Sequence, residues 1–295
     1  LRRQFSFSQY VYARYDCKYI QKQKKLYIKI MKAVEKILEN NKSGKFVCVG
    51  LDSDLKKLPE ILKNDKDAVF KFNSEIIEAT KDYAAAYKIN FAFYEQNGSK
   101  GLSELEKTAE LIPGNILSIA DAKRGDIGNT SEMYARSVFE HFRFDAVTLN
   151  PYMGKDSLQP FLDYSDKLNF VLVLTSNPGA NDFEKLILND GKLVYQRILK
   201  SVNQWNENHN CGIVFGATKI EELKSNIKDF GELTVLLPGV GAQGGSMPDV
   251  KKVFKDNKRE NFIVNVSRSI IYKSSDSDFA EAARSEIISL HQINN

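Results

Sequence analysis

Short apolar segments and longer amphipathic segments alternate along the chain from about residue 46 to its end. Short apolar runs bounded by turn-forming residues are typical of buried strands, whereas apolar residues that recur every three or four positions are typical of helices. The pattern predicts eight strands, over Phe46–Leu51, Ala84–Phe91, Ile116–Ala120, Ala146–Leu149, Asn169–Thr175, Gly212–Phe215, Leu233–Leu237 and Asn261–Val266.

Helices are predicted before and between these strands and after the last one. They cover Leu26–Leu38, Asp67–Asp82, Leu102–Leu111, Ser131–Phe142, Lys192–Glu207, Ile220–Ile227, Pro248–Phe254 and Ser277–His291. Repeated strand–helix units indicate a parallel sheet, and eight such units favour closure of that sheet into a barrel. We therefore predict the α/β class and a (β/α)8 TIM barrel over residues 26–295, with an open doubly wound sheet as the alternative.

The beginning of the chain differs in composition from the rest. Residues 1–30 hold eight Lys or Arg and the single acid Asp16, so the remainder carries −3 of the total charge of +4. A basic, acid-poor start fits a nucleic-acid-binding arm, a targeting remnant or a linker. We predict that residues 1–25 are a poorly ordered basic extension or linker. Because the chain opens with Leu1, we also expect that it comes from a longer polypeptide.

Cysteine use and hydropathy limit the other function classes. Cys17, Cys48 and Cys211 are odd in number and have no metal-ligand spacing with histidine, which favours a reducing, cytoplasmic compartment and no metal site. No stretch approaches the roughly 20 apolar residues that cross a bilayer. We expect a protein that binds a small molecule, with neither nucleic acid nor a membrane as its partner.

The most informative motif follows the third predicted strand and runs from Asp121 to Thr130, with the sequence DAKRGDIGNT. Side chains two apart on a strand share a face, so Asp121 and Lys123 point the same way, and Asp126 follows in the loop. Burying an isolated charge costs several kcal/mol, so these residues form a credible set only if they compensate one another. A purely structural salt bridge with a turn glycine is the alternative.

Other polar residues fall at strand ends, on the rim where barrels of this kind place their active sites. Asp52 follows the first strand, Lys88 and Asn90 lie on the second, and Ser176 follows the fifth. Asp52 is a candidate for binding sugar hydroxyls, but an N-cap role competes with that role. Lys88 needs a partner if it is buried, and its alternative role is that of a surface lysine with a buried stem.

The last two strand ends combine glycines with an arginine. The loop after the seventh strand has the sequence PGVGAQGG, from Pro238 to Gly245, and Arg268 follows the eighth strand. Glycines let backbone N–H groups approach an anion, and arginine can bind two phosphate oxygens, so these loops predict a phosphate site. A flexible glycine loop is the alternative. His141, His209 and His291 lie away from strand ends, which leaves Lys123 as the candidate proton donor.

These motifs resemble those of the orotidine 5'-monophosphate decarboxylase family. The resemblance extends from about Phe46 to Ile271 and rests on six blocks in family order. The blocks are Gly50–Asp52, Lys88-x-Asn90, Asp121–Thr130, Ser176–Gly179, Pro238–Gly245 and Ser267-Arg268. The resemblance implies a homodimeric (β/α)8 barrel that converts orotidine 5'-monophosphate to UMP and CO2 without a metal or an organic cofactor.

The resemblance also implies roles for individual residues. Lys123 would stabilise the charge at C6 and deliver the proton, and Asp121 would lie beside the departing carboxylate and hold Lys123. Asp126 and Thr130 would reach into the active site of the other subunit. The ribose hydroxyls would bind Asp52 and the catalytic Lys88, and the pyrimidine edge would bind Ser176. Gln243 and Arg268 would bind the phosphate, and the remaining substrate-binding positions would be Asn90, Pro238 and Gly244.

The sequence motifs are also compatible with two alternative functions. One is a magnesium-dependent sugar-phosphate decarboxylase or aldolase of the same barrel superfamily, which shares an Asp-x-Lys-x-x-Asp motif. The other is a non-catalytic nucleotide-binding barrel. Some eukaryotic members of the family carry an orotate phosphoribosyltransferase ahead of this domain, and a truncated linker would then explain the basic start.

Overall fold

Eight parallel strands form the centre of the molecule, which a computed structural model describes over residues 31–216, 220–239 and 246–292. The strands pair in chain order, and the eighth pairs with the first, so the sheet closes into a barrel. They are β1 (Val47–Gly50), β2 (Ala84–Asn90), β3 (Leu117–Arg124), β4 (Ala146–Leu149), β5 (Leu168–Leu174), β6 (Cys211–Phe215), β7 (Thr234–Leu237) and β8 (Phe262–Val266). The predicted (β/α)8 barrel is confirmed, and the open-sheet alternative is wrong.

Helices surround the barrel. In the described ranges they are α1 (Ala33–Lys42), α2 (Glu60–Lys63), α3 (Ala68–Thr80), α4 (Ala92–Glu95), α5 (Gly98–Glu110), α6 (Gly128–Arg136), α7 (Gln159–Leu162), α8 (Val194–Trp205), α9 (Ile220–Asn226), α10 (Met247–Asp256), α11 (Arg268–Ile271) and α12 (Phe279–Gln292). The single-turn helices α2, α4, α7 and α11 were not predicted, because one turn is too short to show a helical period. None of the helices described is long and apolar enough to span a membrane.

The first predicted helix corresponds to α1, which extends four residues beyond the predicted end at Leu38. Residues 26–30 of that prediction lie outside the described ranges. The same holds for the basic segment 1–25, so the division of the chain at residue 25 stays a prediction.

The third strand is longer than predicted. It continues past Ala120 to Arg124, because Asp121 still pairs with Asn90 of β2 and Arg124 pairs with Leu149 of β4. The expectation that the charged motif begins after the strand is therefore wrong. Asp121 and Lys123 belong to the barrel wall itself, and this rigid position suits side chains that must be held in a fixed geometry.

The lower half of the barrel is filled with apolar side chains. Cys48, Leu117, Phe170 and Ile263 belong to one buried cluster with side chains from α1. A Cβ atom on Gly212 would lie 2.8 Å from the Phe170 ring, so glycine leaves room for that ring. The barrel is thus closed from below, and the polar cavity lies at the opposite end, where the strands finish.

Helix α1 is fixed to the barrel by one buried ion pair. Lys36 Nζ lies 2.7 Å from Asp145 Oδ2, and the side chains are 8% and 18% exposed. The same carboxylate oxygen accepts hydrogen bonds from the backbone N–H and the hydroxyl group of Ser118, both at 3.0 Å. The pair therefore connects the helix to the beginnings of β3 and β4.

We expect Lys36→Met to lower the free energy of unfolding by about 3 kcal/mol, because it leaves the Asp145 carboxylate without its cation in a largely buried place. Urea unfolding at pH 7 measures this change. Lys42→Met is the matched control on the same helix, since the Lys42 side chain is 62% exposed and its Nζ lies 3.8 Å from Glu39 Oε1. The control should cost less than about 0.5 kcal/mol. Equal effects of the two substitutions would contradict the account of Lys36.

Candidate active site

A buried carboxylate, that of Asp121 on β3, lies at the centre of the charged residues. Its Oδ2 atom lies 2.9 Å from Lys88 Nζ, and its Oδ1 atom lies 2.6 Å from Lys123 Nζ. The hydroxyl group of Thr148 on β4 donates a third hydrogen bond to Oδ1, at 2.9 Å. One carboxylate thus accepts from two ammonium groups and a hydroxyl, which is the mutual compensation that buried charges need.

The row of charges continues across β2 to the end of β1. Lys88 Nζ lies 3.5 Å from Asp52 Oδ1, so this lysine has a carboxylate on each side. Lys88 is only 5% exposed, and the alternative of a surface lysine is wrong. The alternative of an N-cap at Asp52 is also wrong, because Asp54 accepts the capping hydrogen bond from the N–H of Lys56.

The pKa shifts show which of these groups hold their charge. Burial alone would raise the pKa of Asp121, but the charges of Lys88 and Lys123 outweigh it and hold that pKa below its ordinary value. Burial would likewise lower the pKa of Lys88, but Asp121 and Asp52 raise it above its ordinary value. Both groups therefore stay ionised around neutral pH. Below them, burial raises the pKa of the Cys48 thiol to about 12, so this cysteine stays protonated.

Lys123 differs from Lys88 in exposure. Its side chain is 50% exposed and faces the cavity, and the hydrogen bond to Asp121 fixes its end. Its backbone has a φ of +48°, in the left-handed region that residues other than glycine rarely adopt. Such conformations cost about 1–3 kcal/mol and persist only where the surrounding structure holds them. Lys123 is thus both accessible to a ligand and tightly positioned.

A cavity of about 280 Å³ opens above the charge row, at the carboxyl ends of the strands. Seven of the predicted site residues line it: Asp52, Lys88, Asn90, Asp121, Lys123, Ser176 and Pro238. Asn90 Oδ1 also accepts a hydrogen bond from the N–H of Ala92, which fixes the direction of its amide group. The residue before Ser176 is fixed by two hydrogen bonds, because the Glu184 carboxylate accepts from the N–H and the hydroxyl group of Thr175, each at 2.7 Å.

Three described residues of the predicted site are not among those that line this cavity. Asp126 lies in the loop after β3 and accepts a hydrogen bond from the N–H of Ile127, and Thr130 is exposed on α6. Arg268 is the first residue of α11 and is exposed at the end of β8. Gln243 and Gly244 lie outside the described residues, as does most of the predicted glycine loop.

The cavity also contains residues that were not predicted as site residues. Among them are Thr148 on β4, Asn177 after β5 and Asn265 on β8. Asn265 is a polar residue in an otherwise apolar strand, and this signal could have identified it. Thr148 gave no such signal, because threonine is a common strand residue. Among the described residues, no three His, Cys, Asp or Glu side chains cluster in a way that could hold a metal ion.

Comparison with known proteins places the chain in a family. Residues 45–284 match the model of the orotidine 5'-phosphate decarboxylase / HUMPS family. An orotidine 5'-phosphate decarboxylase of Herpetosiphon aurantiacus is 48% identical over 239 residues, which are 81% of this chain and 88% of the relative.

Solved structures agree with this match. The OMP decarboxylase of Leishmania donovani superposes with a TM-score of 0.74 at 33% identity, over 89% of this chain and 99% of that one. The UMP synthase of Leishmania donovani gives a TM-score of 0.75 at 35% identity, over 87% of this chain and 55% of that longer one. The charge row, the cavity and these matches lead to one conclusion: the chain belongs to the orotidine 5'-phosphate decarboxylase / HUMPS family.

Proposed function

We propose that this chain decarboxylates orotidine 5'-monophosphate to UMP and CO2, the last step of de novo UMP synthesis, without a metal or an organic cofactor. The observation that carries the proposal is the alternating row Asp52–Lys88–Asp121–Lys123 on the wall of the cavity. The relative from Herpetosiphon aurantiacus is named for the same activity.

The chemistry requires a cation at the carbon that loses CO2. When the bond between C6 and the carboxylate carbon breaks, its electron pair stays at C6, and no cofactor is needed if a fixed ammonium group stabilises that charge. Lys123 has the accessible ammonium group, whereas Lys88 is buried between two carboxylates. Lys123 would then transfer a proton to C6, which yields UMP, and would regain a proton from solvent.

Asp121 would direct Lys123 and lie beside the departing carboxylate. Because its pKa is lowered, it stays an anion and cannot act as the proton donor. Repulsion between Asp121 and the substrate carboxylate is a secondary effect in this proposal, since stabilisation of the transition state by Lys123 is the larger contribution.

The remaining cavity residues would bind the rest of the nucleotide. Asp52 and Lys88 suit the ribose hydroxyls, and Ser176 suits the pyrimidine edge. Arg268, together with Gln243 and Gly244, is our proposal for the phosphate. Binding energy from the phosphate can lower the barrier at C6 when it drives closure of a loop over the substrate. Asn90 and Pro238 complete the proposed set.

The charge row also favours this reaction over that of a magnesium-dependent sugar-phosphate enzyme. A magnesium site needs carboxylate oxygens that are free to bind the ion. Asp52 and Asp121 each have a lysine within 3.5 Å, so both carboxylates of the cavity wall are compensated. A hydroxyl and an amide from Ser176 and Asn177 line the same cavity and suit a pyrimidine ring.

We also propose a homodimer in which Asp126 and Thr130 complete the active site of the other subunit. The loops after β3 and β4 adjoin, since a Cβ atom on Gly125 would lie 2.5 Å from the Asn150 carbonyl oxygen. These loops expose Ile127 and Tyr152, which are 60% and 89% exposed. Exposed apolar side chains beside an active-site rim are typical of an interface between copies.

The wider setting is proposed from the same observations. Cys48 and Cys211 are buried free thiols, which suits the reducing cytoplasm. We propose a small molecule as the partner of this chain, with neither nucleic acid nor a membrane. The Leishmania donovani UMP synthase chain is longer than the region that matches, which supports a linker to an orotate phosphoribosyltransferase as the origin of the basic start.

We expect Lys123→Ala to lower kcat for orotidine 5'-monophosphate by about 10⁴-fold, because one change removes the cation and the proton donor. The affinity for UMP, measured by calorimetry, should change less than about threefold, since its ribose and phosphate contacts remain. Lys224→Ala is a control of matched exposure, because that side chain is 52% exposed. Turnover of Lys123→Ala within tenfold of the wild type would refute the assignment.

A mixing experiment tests the shared site. Neither Lys123→Ala nor Asp126→Ala dimers should turn over alone, but exchange of subunits in an equal mixture should restore about a quarter of wild-type activity. Half of the dimers are then mixed, and each has one intact site. A mixture of Lys123→Ala with Lys88→Ala is the control and should stay inactive, because both changes lie in a subunit's own cavity. Full activity of Asp126→Ala, or no recovery on mixing, would contradict the shared site.

A further inference from the structure

The pairing of β3 with β4 is irregular beside the charge row. Ala120 pairs with Val147, but the next pair is Arg124 with Leu149. Four residues of β3 therefore advance along only two residues of β4, which is a bulge with extra residues on β3. Bulges of this kind redirect a side chain or its backbone and are common next to active sites. Thr148 is the residue of β4 that lies opposite the bulge.

The hydroxyl group of Thr148 makes two hydrogen bonds within the bulge. It accepts from the backbone N–H of Lys123 at 3.0 Å and donates to Asp121 Oδ1 at 2.9 Å. A threonine hydroxyl has one proton to donate and two lone pairs, so it can make both bonds at once. Thr148 is 1% exposed, so water does not readily replace either bond.

The two hydrogen bonds of the Thr148 hydroxyl group form a bridge between Lys123 and Asp121, and this bridge stabilises an unusual backbone conformation at Lys123. Lys123 has a φ of +48°, and its N–H bonds to a side chain rather than to a carbonyl group of β4. This hydrogen bond is partly buried. An N–H that loses its acceptor away from water costs up to about 3 kcal/mol, which is comparable with the cost of the left-handed conformation itself. Without the hydroxyl group, the backbone at Lys123 would leave the left-handed conformation, and the Lys123 side chain would move with it.

We propose that Thr148 is the positioning residue of the Asp121–Lys123 pair, because its hydroxyl group ties the backbone of one to the carboxylate of the other. The proposal rests on the proposed function for its catalytic consequence, since the position of the Lys123 ammonium group matters at C6. Thr148 itself needs no contact with the reacting atoms. Its branched side chain has few rotamers, which keeps the hydroxyl group in one direction.

The test replaces the hydroxyl group by a methyl group of nearly the same size. We expect Thr148→Val to lower kcat by about 30- to 100-fold, because a displacement near 1 Å can cost about 100-fold in rate. The affinity for UMP should change less than about threefold, because the product has no carboxylate at C6 and its other contacts remain. Thr148→Ser keeps the hydroxyl group and should restore kcat to within about threefold of the wild type.

Thr234→Val is the matched control, because Thr234 is a threonine that is 2% exposed and begins β7 at the other end of the barrel. It should leave kcat unchanged. A kcat of Thr148→Val within threefold of the wild type would overturn the proposal, and so would an equal loss in Thr148→Ser. If Thr148→Val fails to fold, the same expectations apply to Thr148→Ala, in which the smaller side chain fits without strain.

A crystal structure of Thr148→Val separates this proposal from the proposed function. The bridge predicts that Lys123 leaves the left-handed region or that its Nζ moves away from Asp121, whatever substrate the protein turns over. An unchanged Lys123 would overturn the positioning role even if orotidine 5'-monophosphate is the substrate. A wild-type protein that does not consume orotidine 5'-monophosphate would refute the proposed function alone.

Discussion

The site depends on the Asp121 carboxylate. It forms ion pairs with the ammonium groups of Lys88 and Lys123, and its removal would leave these two cations close together without the anion between them. Because the pKa of Asp121 is lowered, its stabilising effect is complete above the ordinary aspartate pKa of about 3.9 and is lost as the pH falls through the lower value in the fold. The pKa of Lys88 is raised, so its contribution is complete below about 10.4 and is lost as the pH rises through the higher value. The row therefore keeps its charges across the physiological range.

Barrel closure makes this arrangement possible. Lys88 and Asp121 lie on β2 and β3, which are neighbours in the sheet, so their spacing follows from backbone pairing. Asp52 follows the end of β1, where the Leu51 N–H still donates a hydrogen bond to the Lys88 carbonyl group of β2. Apolar side chains and α1 fill the opposite end of the barrel, which leaves one polar cavity above the row in the part of the chain described. Within the bulge of β3, Lys123 has a φ of +48°, and its backbone N–H donates a hydrogen bond to the Thr148 hydroxyl group of β4.

Much of this could be predicted from the sequence, because strand order and the alternation of elements determine which residues reach the rim. Asp52, Lys88 and Asp121 were expected there, and they lie together. The bulge could not be predicted, because the residue types of β3 and β4 indicate neither the positive φ of Lys123 nor the shift in register between the two strands. Thr148 escaped notice for the same reason: its role depends on an acceptor and a donor that only the folded backbone brings within 3.0 Å. The single-turn helices were too short to show a period.

In the proposed reaction, the ion row on the barrel wall promotes loss of CO2 from a pyrimidine nucleotide, and Lys123 transfers a solvent-derived proton to C6. The most direct test is to incubate the purified chain with orotidine 5'-monophosphate in D2O that contains a metal chelator, and to follow the product by proton NMR. We expect UMP that carries deuterium at C6, formed in equal amount with the CO2 released. No loss of orotidine 5'-monophosphate, or UMP that forms only after a divalent metal ion is restored, would contradict it.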